Sequence, residues 1–161
     1  MENWKTIYYK AHEEDFKVKY PQTFKDGHYS LPKLPDVRKT NGLTMVVVNF
    51  LTWSGFYANR INVGGRMIGK INRTESGNRF DDRKWITSST KKGTSDLMCS
   101  IDGRMVCIEI KNEATKDRLS DHQKKEKARV ERSGAVYVVI GTVEQFFEWY
   151  QSFKTKQLSL L

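Results

Sequence analysis

Apolar and polar positions alternate most regularly in residues 93–113, GTSDLMCSIDGRMVCIEIKNE, on both sides of Asp102-Gly103. Alternation marks a half-buried strand, and Asp-Gly between two such runs predicts a hairpin with a tight turn. A two-residue turn pairs Ile101 with Arg104, and stepping outward sets Leu97 opposite Ile108 and Asp96 opposite Glu109. A four-residue turn on the same centre gives the same register. Side chains then sort onto two faces. Leu97, Cys99, Ile101, Val106, Ile108 and Ile110 form one, wholly apolar and predicted to meet the core. Asp96, Met98, Ser100, Met105, Cys107, Glu109 and Lys111 form the other, which brings two carboxylates and a lysine together at the open end.

The remaining pattern supplies the frame around this hairpin. LTMVVVNFLTW carries apolar residues at helical spacing, with Gly55 as a stop. The following stretch, rich in Gly, Ser, Thr and Arg, predicts a short strand or two in RMIGKIN and RKWITSS. After a loop, NEATKDRL, a helix is predicted from Ser120, a capping residue with Gln123 three positions on, to Gly134. AVYVVIG, residues 135–141, reads as a strand buried on both faces, and TVEQFFEWYQSFK as a second helix with Thr142 and Gln145 repeating the cap. Strand, helix and buried strand predict a right-handed crossover to a parallel neighbour. The sum is an α/β fold with a mixed sheet, in the order α-β-β-β-α-β-α. Residues 1–40 hold all three prolines and a run of aromatics from Trp4 to Tyr29. They read as an N-terminal extension, with room for a small helix or hairpin, packed on a domain spanning residues 41–161.

Composition narrows the partners. A chain of 161 residues suits one domain, and Lys plus Arg exceed Asp plus Glu by nine. That surplus favours a polyanion, nucleic acid before an acidic membrane. No membrane span is expected, because the best apolar run, MVVVNFL, is short. The first residues lack the apolar block of a signal peptide, and Cys99 and Cys107 show no metal-ligand spacing. An intracellular, cytoplasmic setting is expected, the host cytoplasm if the source is viral. The histidines at 12, 28 and 122 are scattered and form no motif.

Directly opposed strand residues stand about 4.5–5.5 Å apart at Cβ, so two facing carboxylates repel unless a cation lies between them. Hard oxygen ligands in small number, completed by water, describe Mg2+ with Mn2+ as a substitute. Lys111 shares the face and can stabilise charge on a phosphate or orient a water. The bland alternative is a solvated hairpin face with incidental charges; the apolar flanks of Glu109 in CIEI weigh against it.

Gly93, Asp96, Glu109 and Lys111, followed by a helix carrying Gln123, resemble the PD-(D/E)XK nuclease superfamily and, within it, the VRR-NUC group with its stand-alone phage-type domains. The likeness extends to Arg60 and Asn62 in RIN and to GAVYVVI with TVEQF, and covers most of residues 44–150. It implies a restriction-endonuclease-like fold with core order α-β-β-β-α-β. It also implies metal-dependent hydrolysis of DNA phosphodiester bonds, with branched DNA such as a Holliday junction as substrate and a homodimer where two cuts are made. In that reading Asp96, Glu109 and the Ile110 carbonyl bind the metal. Lys111 positions or activates the attacking water, and Gln123 supports the lysine. Two departures stand out: Ser95 replaces a frequent proline, and the first helix lacks the glutamate often found there, leaving Asn49 as its best polar substitute and Glu75 as a possible source from the next segment.

Other signals are weighed against plainer readings. Residues 64–70, GGRMIGK, approach a phosphate-binding loop, but Ile71 stands where Ser or Thr is needed and no buried strand precedes it. Gln123 serves equally as half of a capping box. Arg60, Asn62, Arg66, Lys70, Lys91, Lys92, Lys124 and Lys125 are either solvated surface or contacts to DNA that add affinity without reading bases. The aromatics of the last helix are core or a dimer interface. A catalytically inactive DNA-binding module on the same fold is the alternative to an enzyme.

Overall fold

The computed structural model describes residues 3–61, 64, 66–73, 77, 79–86, 90–115 and 117–158. In chain order its elements begin with α1 (Trp4–Lys19), α2 (Pro21–Lys25) and α3 (Thr40–Trp53), then β1 (Tyr57–Arg60). Four short strands follow: β2 (Arg66–Ile68), β3 (Ile71–Arg73), β4 (Arg79–Asp81) and β5 (Lys84–Ile86). The second half contains β6 (Leu97–Ile101), β7 (Arg104–Ile110), a 3-10 turn (Glu113–Thr115), α4 (Asp121–Arg132), β8 (Val136–Ile140) and α5 (Val143–Leu158).

The hairpin forms in the register the alternation predicts. Ile101 pairs with Arg104 and Leu97 with Ile108, and Asp102 and Gly103 take φ of 48° and 76°, the two positive values a type I′ turn requires. The main sheet runs β1-β6-β7-β8, antiparallel except for the parallel pair β7–β8 that α4 connects. The fold is therefore α/β, a mixed multi-strand sheet flanked by helices.

The two hairpin faces meet different surroundings. Leu97, Cys99, Ile101, Val106, Ile108 and Ile110 join the main core with Leu43, Val46, Val47, Phe50 and Leu51 of α3 and Phe146 and Phe147 of α5. On the other face Cys107 packs with Tyr137 of β8 and Val130 of α4. Phe50 makes edge contacts with Phe146, Phe147 and Tyr150, so the aromatic stripe of α5 is core. The two cysteines lie on opposite faces.

Two elements differ from the sequence expectation. The strand beside β6 is Tyr57–Arg60, whereas RMIGKIN and RKWITSS supply β2, β3 and β5, which pair in two-stranded ladders outside the main sheet. YANR is four residues long and turns only Ala58 into the core, too little alternation to announce a strand. The N-terminal extension contains a sixteen-residue helix, α1, and its Tyr8 is fully buried in the main core. Charged residues on three sides of α1 blur its apolar stripe. Among the described residues no helix is long and apolar enough to cross a membrane.

Candidate active site

Glu109 is the next-to-last residue of β7, a strand with a neighbour on each side, and it is 1% exposed. Sheet pairing buries it, so its carboxylate depends on protein donors. Gln123 Nε2 donates to Oε1, Lys111 Nζ stands 3.3 Å from the same oxygen, and the Tyr137 hydroxyl donates to Oε2 at 3.4 Å. Burial, and then the charge of Asp96, raise the Glu109 pKa to about 7 despite the opposing pull of Lys111 and Tyr137. Tyr137 is itself raised, by burial first and by Glu109 second.

Asp96 immediately precedes β6. Its carbonyl accepts from Ile61 N–H at 2.8 Å and its Oδ2 accepts from Ile110 N–H at 2.9 Å. In an antiparallel pair a residue turns its N–H and C=O toward the same neighbour, so the Ile110 carbonyl faces the Asp96 side. Lys111, just beyond β7, is anchored through its backbone N–H to the Ile140 carbonyl of β8 at 2.9 Å. Its ammonium bridges Glu109 and Asp117, the latter at 2.9 Å. Burial works against that charge, but the two carboxylates outweigh it and raise the pKa. The contact with Lys111 in turn holds the Asp117 carboxyl below its ordinary range.

Gln123 reaches the site because α4 begins there. Its Oε1 accepts from Ser120 N–H (2.9 Å) while its own N–H donates to Ser120 Oγ (3.3 Å), a complete capping box. The amide nitrogen is left for Glu109. The capping box is formed, and the same side chain's amide nitrogen bonds Glu109 rather than the expected Lys111. The loop before Asp96 rests on the same helix start. Gly93 has φ of +88°, and a Cβ there would lie 2.6 Å from the His122 backbone, so only glycine lets the loop approach this closely.

One ammonium thus bridges two carboxylates, those of Glu109 and Asp117, while Asp96 lies near enough for its charge to act on Glu109. Among the described residues no group of three or more His, Cys, Asp or Glu is arranged to hold a metal ion. Asp96, Glu109 and the Ile110 carbonyl nevertheless fit a hard divalent ion that keeps several waters, and a buried carboxylate whose charge its surroundings oppose is a donor that gains from a cation. On the β1 side this face stays open, with Tyr57 and Met105 exposed on either side of Ser100.

Several expected contributors stand elsewhere. Arg60 pairs with Leu97, hence on the core-side face, and donates to Asn41 of α3. Asn49 donates to the Tyr8 hydroxyl at 3.3 Å and does not substitute for a site acid. Asn62 and Glu75 lie outside the described residues, as does the side chain of Arg66. Lys70 is exposed on the strand ribbon formed by β2 to β5. Lys91 and Lys92 are exposed in the loop leading to Asp96; on α4, Lys124 pairs with Asp121 at 3.1 Å and Lys125 is exposed. Sequence reasoning missed Asp117 and Tyr137. Tyr137 was legible in principle, since its parallel pairing with Cys107 puts it on the Glu109 face; Asp117 lies in a loop without periodicity. A cleft of about 410 Å³ lined by Trp4, Ile7, Phe147 and Glu148 opens between α1 and α5, on the other side of the sheet. Comparison with protein-family models, curated proteins and solved structures finds no match.

Proposed function

We propose that the protein is a metal-dependent DNA endonuclease that hydrolyses phosphodiester bonds and selects its substrate by structure, branched DNA before plain duplex. The observation that carries this reading is the convergence of Asp96, Glu109, Lys111 and Gln123 around a buried carboxylate whose pKa is raised to about 7. The element succession α3, β1, β6, β7, α4, β8 supports a restriction-endonuclease-like core of the PD-(D/E)XK, VRR-NUC-like type.

Asp96, Glu109 and the Ile110 carbonyl would hold Mg2+, or Mn2+ in its place, and the ion supplies Lewis acidity at the scissile phosphate. Gln123 and Tyr137 fix the Glu109 carboxylate so that its oxygens need no reorganisation. Lys111, held by Asp117, presents an ammonium that can orient a water and stabilise charge on the phosphate. Lys91, Lys92 and Lys125, exposed on the loop and helix beside the site, add affinity for the DNA backbone. Two symmetric cuts in a four-way junction require a homodimer.

The test is a panel of labelled junction, flap, duplex and single-stranded DNA, incubated with magnesium or with EDTA. Cleavage that needs the metal and is lost in Asp96→Ala and Glu109→Ala is the expected result. Equal cutting by those variants would refute the mechanism. One observation favours a second reading, an inactive DNA-binding module: Lys111 already pairs with Glu109 at 3.3 Å, and among the described residues no group of three acids is arranged to hold a metal ion. That reading predicts salt-sensitive DNA binding without cleavage, and no manganese or calcium uptake by calorimetry.

A further inference from the structure

The element that the proposed activity leaves unused is the ribbon of β2 to β5. Its two ladders share one register: continuing inward from Arg66↔Ile86 and Ile68↔Lys84 arrives at Ile71↔Asp81 and Arg73↔Arg79. It is a single long hairpin, interrupted once, and the interruption is stapled. Asp82 Oδ1 accepts from Lys70 N–H at 2.7 Å and Oδ2 from Asn72 Nδ2 at 3.1 Å. The ribbon is rooted at the carboxylate end of the main sheet. Its leading strand departs after Ile61, whose N–H bonds the Asp96 carbonyl, and its return strand feeds the loop that ends in Asp96.

Its surface is unusual for a projecting hairpin. Met67 and Trp85 pair directly across it and are 50% and 61% exposed, and Ile68, Ile71 and Ile86 are exposed as well. The segment 66–86 holds Arg66, Lys70, Arg73, Arg79, Arg83 and Lys84 against Glu75, Asp81 and Asp82, a net +3 out of the chain's +9. Met67 and Trp85 lie side by side on one face of the ribbon, and an exposed apolar pair of this kind is usually covered. A second copy of the ribbon would bring a further +3 against the first, whereas a polyanion is attracted to it. A two-stranded ribbon fits a DNA groove, and an exposed indole stacks on bases whose faces are free.

We propose that this ribbon is a nucleic-acid grip. Its basic side chains engage phosphates, and Trp85, backed by Met67, stacks on unpaired bases, directing the site towards DNA with single-stranded or branched character. This rests on the endonuclease reading and names what that site would accept. Because the ribbon packs chiefly on itself, Trp85→Ala should leave the unfolding midpoint unchanged.

The experiment measures binding of the full chain in EDTA to fluorescein-labelled single-stranded, four-way-junction and duplex DNA by anisotropy. Trp85→Ala should bind the first two at least five-fold more weakly and duplex nearly as the wild type does, within the range of single stacking contacts. Trp85→Phe should keep the affinity but lose the quenching of tryptophan fluorescence on binding. Lys70→Ala with Lys84→Ala should weaken binding to all three DNAs and flatten the salt dependence. Wild-type binding with an unchanged Trp85→Ala overturns the grip and leaves the endonuclease reading standing; no binding by the wild type overturns that reading itself. A wild-type dimer that Trp85→Ala converts to monomer identifies the ribbon as a self-association arm and overturns the grip.

Discussion

Replacing Glu109 by glutamine keeps the side chain's shape and an oxygen to accept from Gln123 and Lys111, but removes the charge. Glu109 is the one buried ionisable carboxylate among the described residues, and its pKa rises from 4.5 unfolded to about 7 folded. The folded protein therefore binds this proton more tightly than the unfolded chain. The stability it contributes is complete below 4.5 and is lost as pH climbs through about 7. At 1.36 kcal/mol per unit the loss across that window is about 3 kcal/mol. Urea unfolding in EDTA, followed from about pH 4 to about pH 8, gives the stability of wild type and Glu109→Gln. Their difference cancels the titration of exposed carboxylates, and should move by about 3 kcal/mol in favour of the variant as pH rises. At the upper end magnesium should stabilise the wild type by about 2.7 kcal/mol at a hundred times its dissociation constant, and the variant hardly at all. A pH-independent difference would refute the buried-charge argument. A magnesium response that survives the substitution would remove Glu109 from the metal site.

Three further outcomes follow from the same contacts. Gly93→Ala forces a Cβ against the His122 backbone at a residue with φ of +88°, and should lower stability by about 1–3 kcal/mol while reducing cleavage more than stability explains; thermal unfolding beside single-turnover assays checks this. Tyr137→Phe removes the donor to Glu109 Oε2, so it should cost about 1–2 kcal/mol at about pH 8 and less at about pH 5, read by the pH-resolved unfolding above. Tyr8→Ala should cost about 3–5 kcal/mol in urea unfolding, since Tyr8 is fully buried between α1 and α3; a loss under about 1 kcal/mol would show that α1 is not part of the core.

What could be read beforehand follows from how local each signal is. The hairpin was legible because Asp102-Gly103 fixes its register and a period of two fixes its faces, so Leu97 opposite Ile108 needed no tertiary information. The caps of α4 were legible for the same reason: Ser120 and Gln123 act on their own backbone. Non-local features were not. Nothing in YANR announces that it borders β6 rather than running on from α3, and α1 holds its place through Tyr8 and Trp4 against residues far away in sequence. The site divided along the same line. Asp96, Glu109 and Lys111 come from one hairpin and were found together, while Tyr137 and Asp117 arrive from β8 and a loop.

Gln123 shows how the fold and the site share one contact set. Its amide oxygen completes the cap of α4 and its amide nitrogen bonds Glu109, so one side chain sets both where the helix begins and how the carboxylate points. The Gly93 loop then seats on that helix start and carries Asp96 into place beside Ile110. The start of α4 is thereby tied to both carboxylates, to Glu109 by a hydrogen bond and to Asp96 through the Gly93 loop, which a cap alone would not require. Ser120→Ala removes only the hydroxyl that accepts from Gln123 N–H, leaving the Gln123 amide free to hold Glu109. It should cost about 1 kcal/mol, as an ordinary cap does, and leave the Glu109 titration where it was. Gln123→Ala strips both roles, so it should cost more than Ser120→Ala and move that titration upward by removing a donor to the charged form. Equal losses in the two variants, with an unmoved titration in both, would mean that Gln123 is a cap and nothing more.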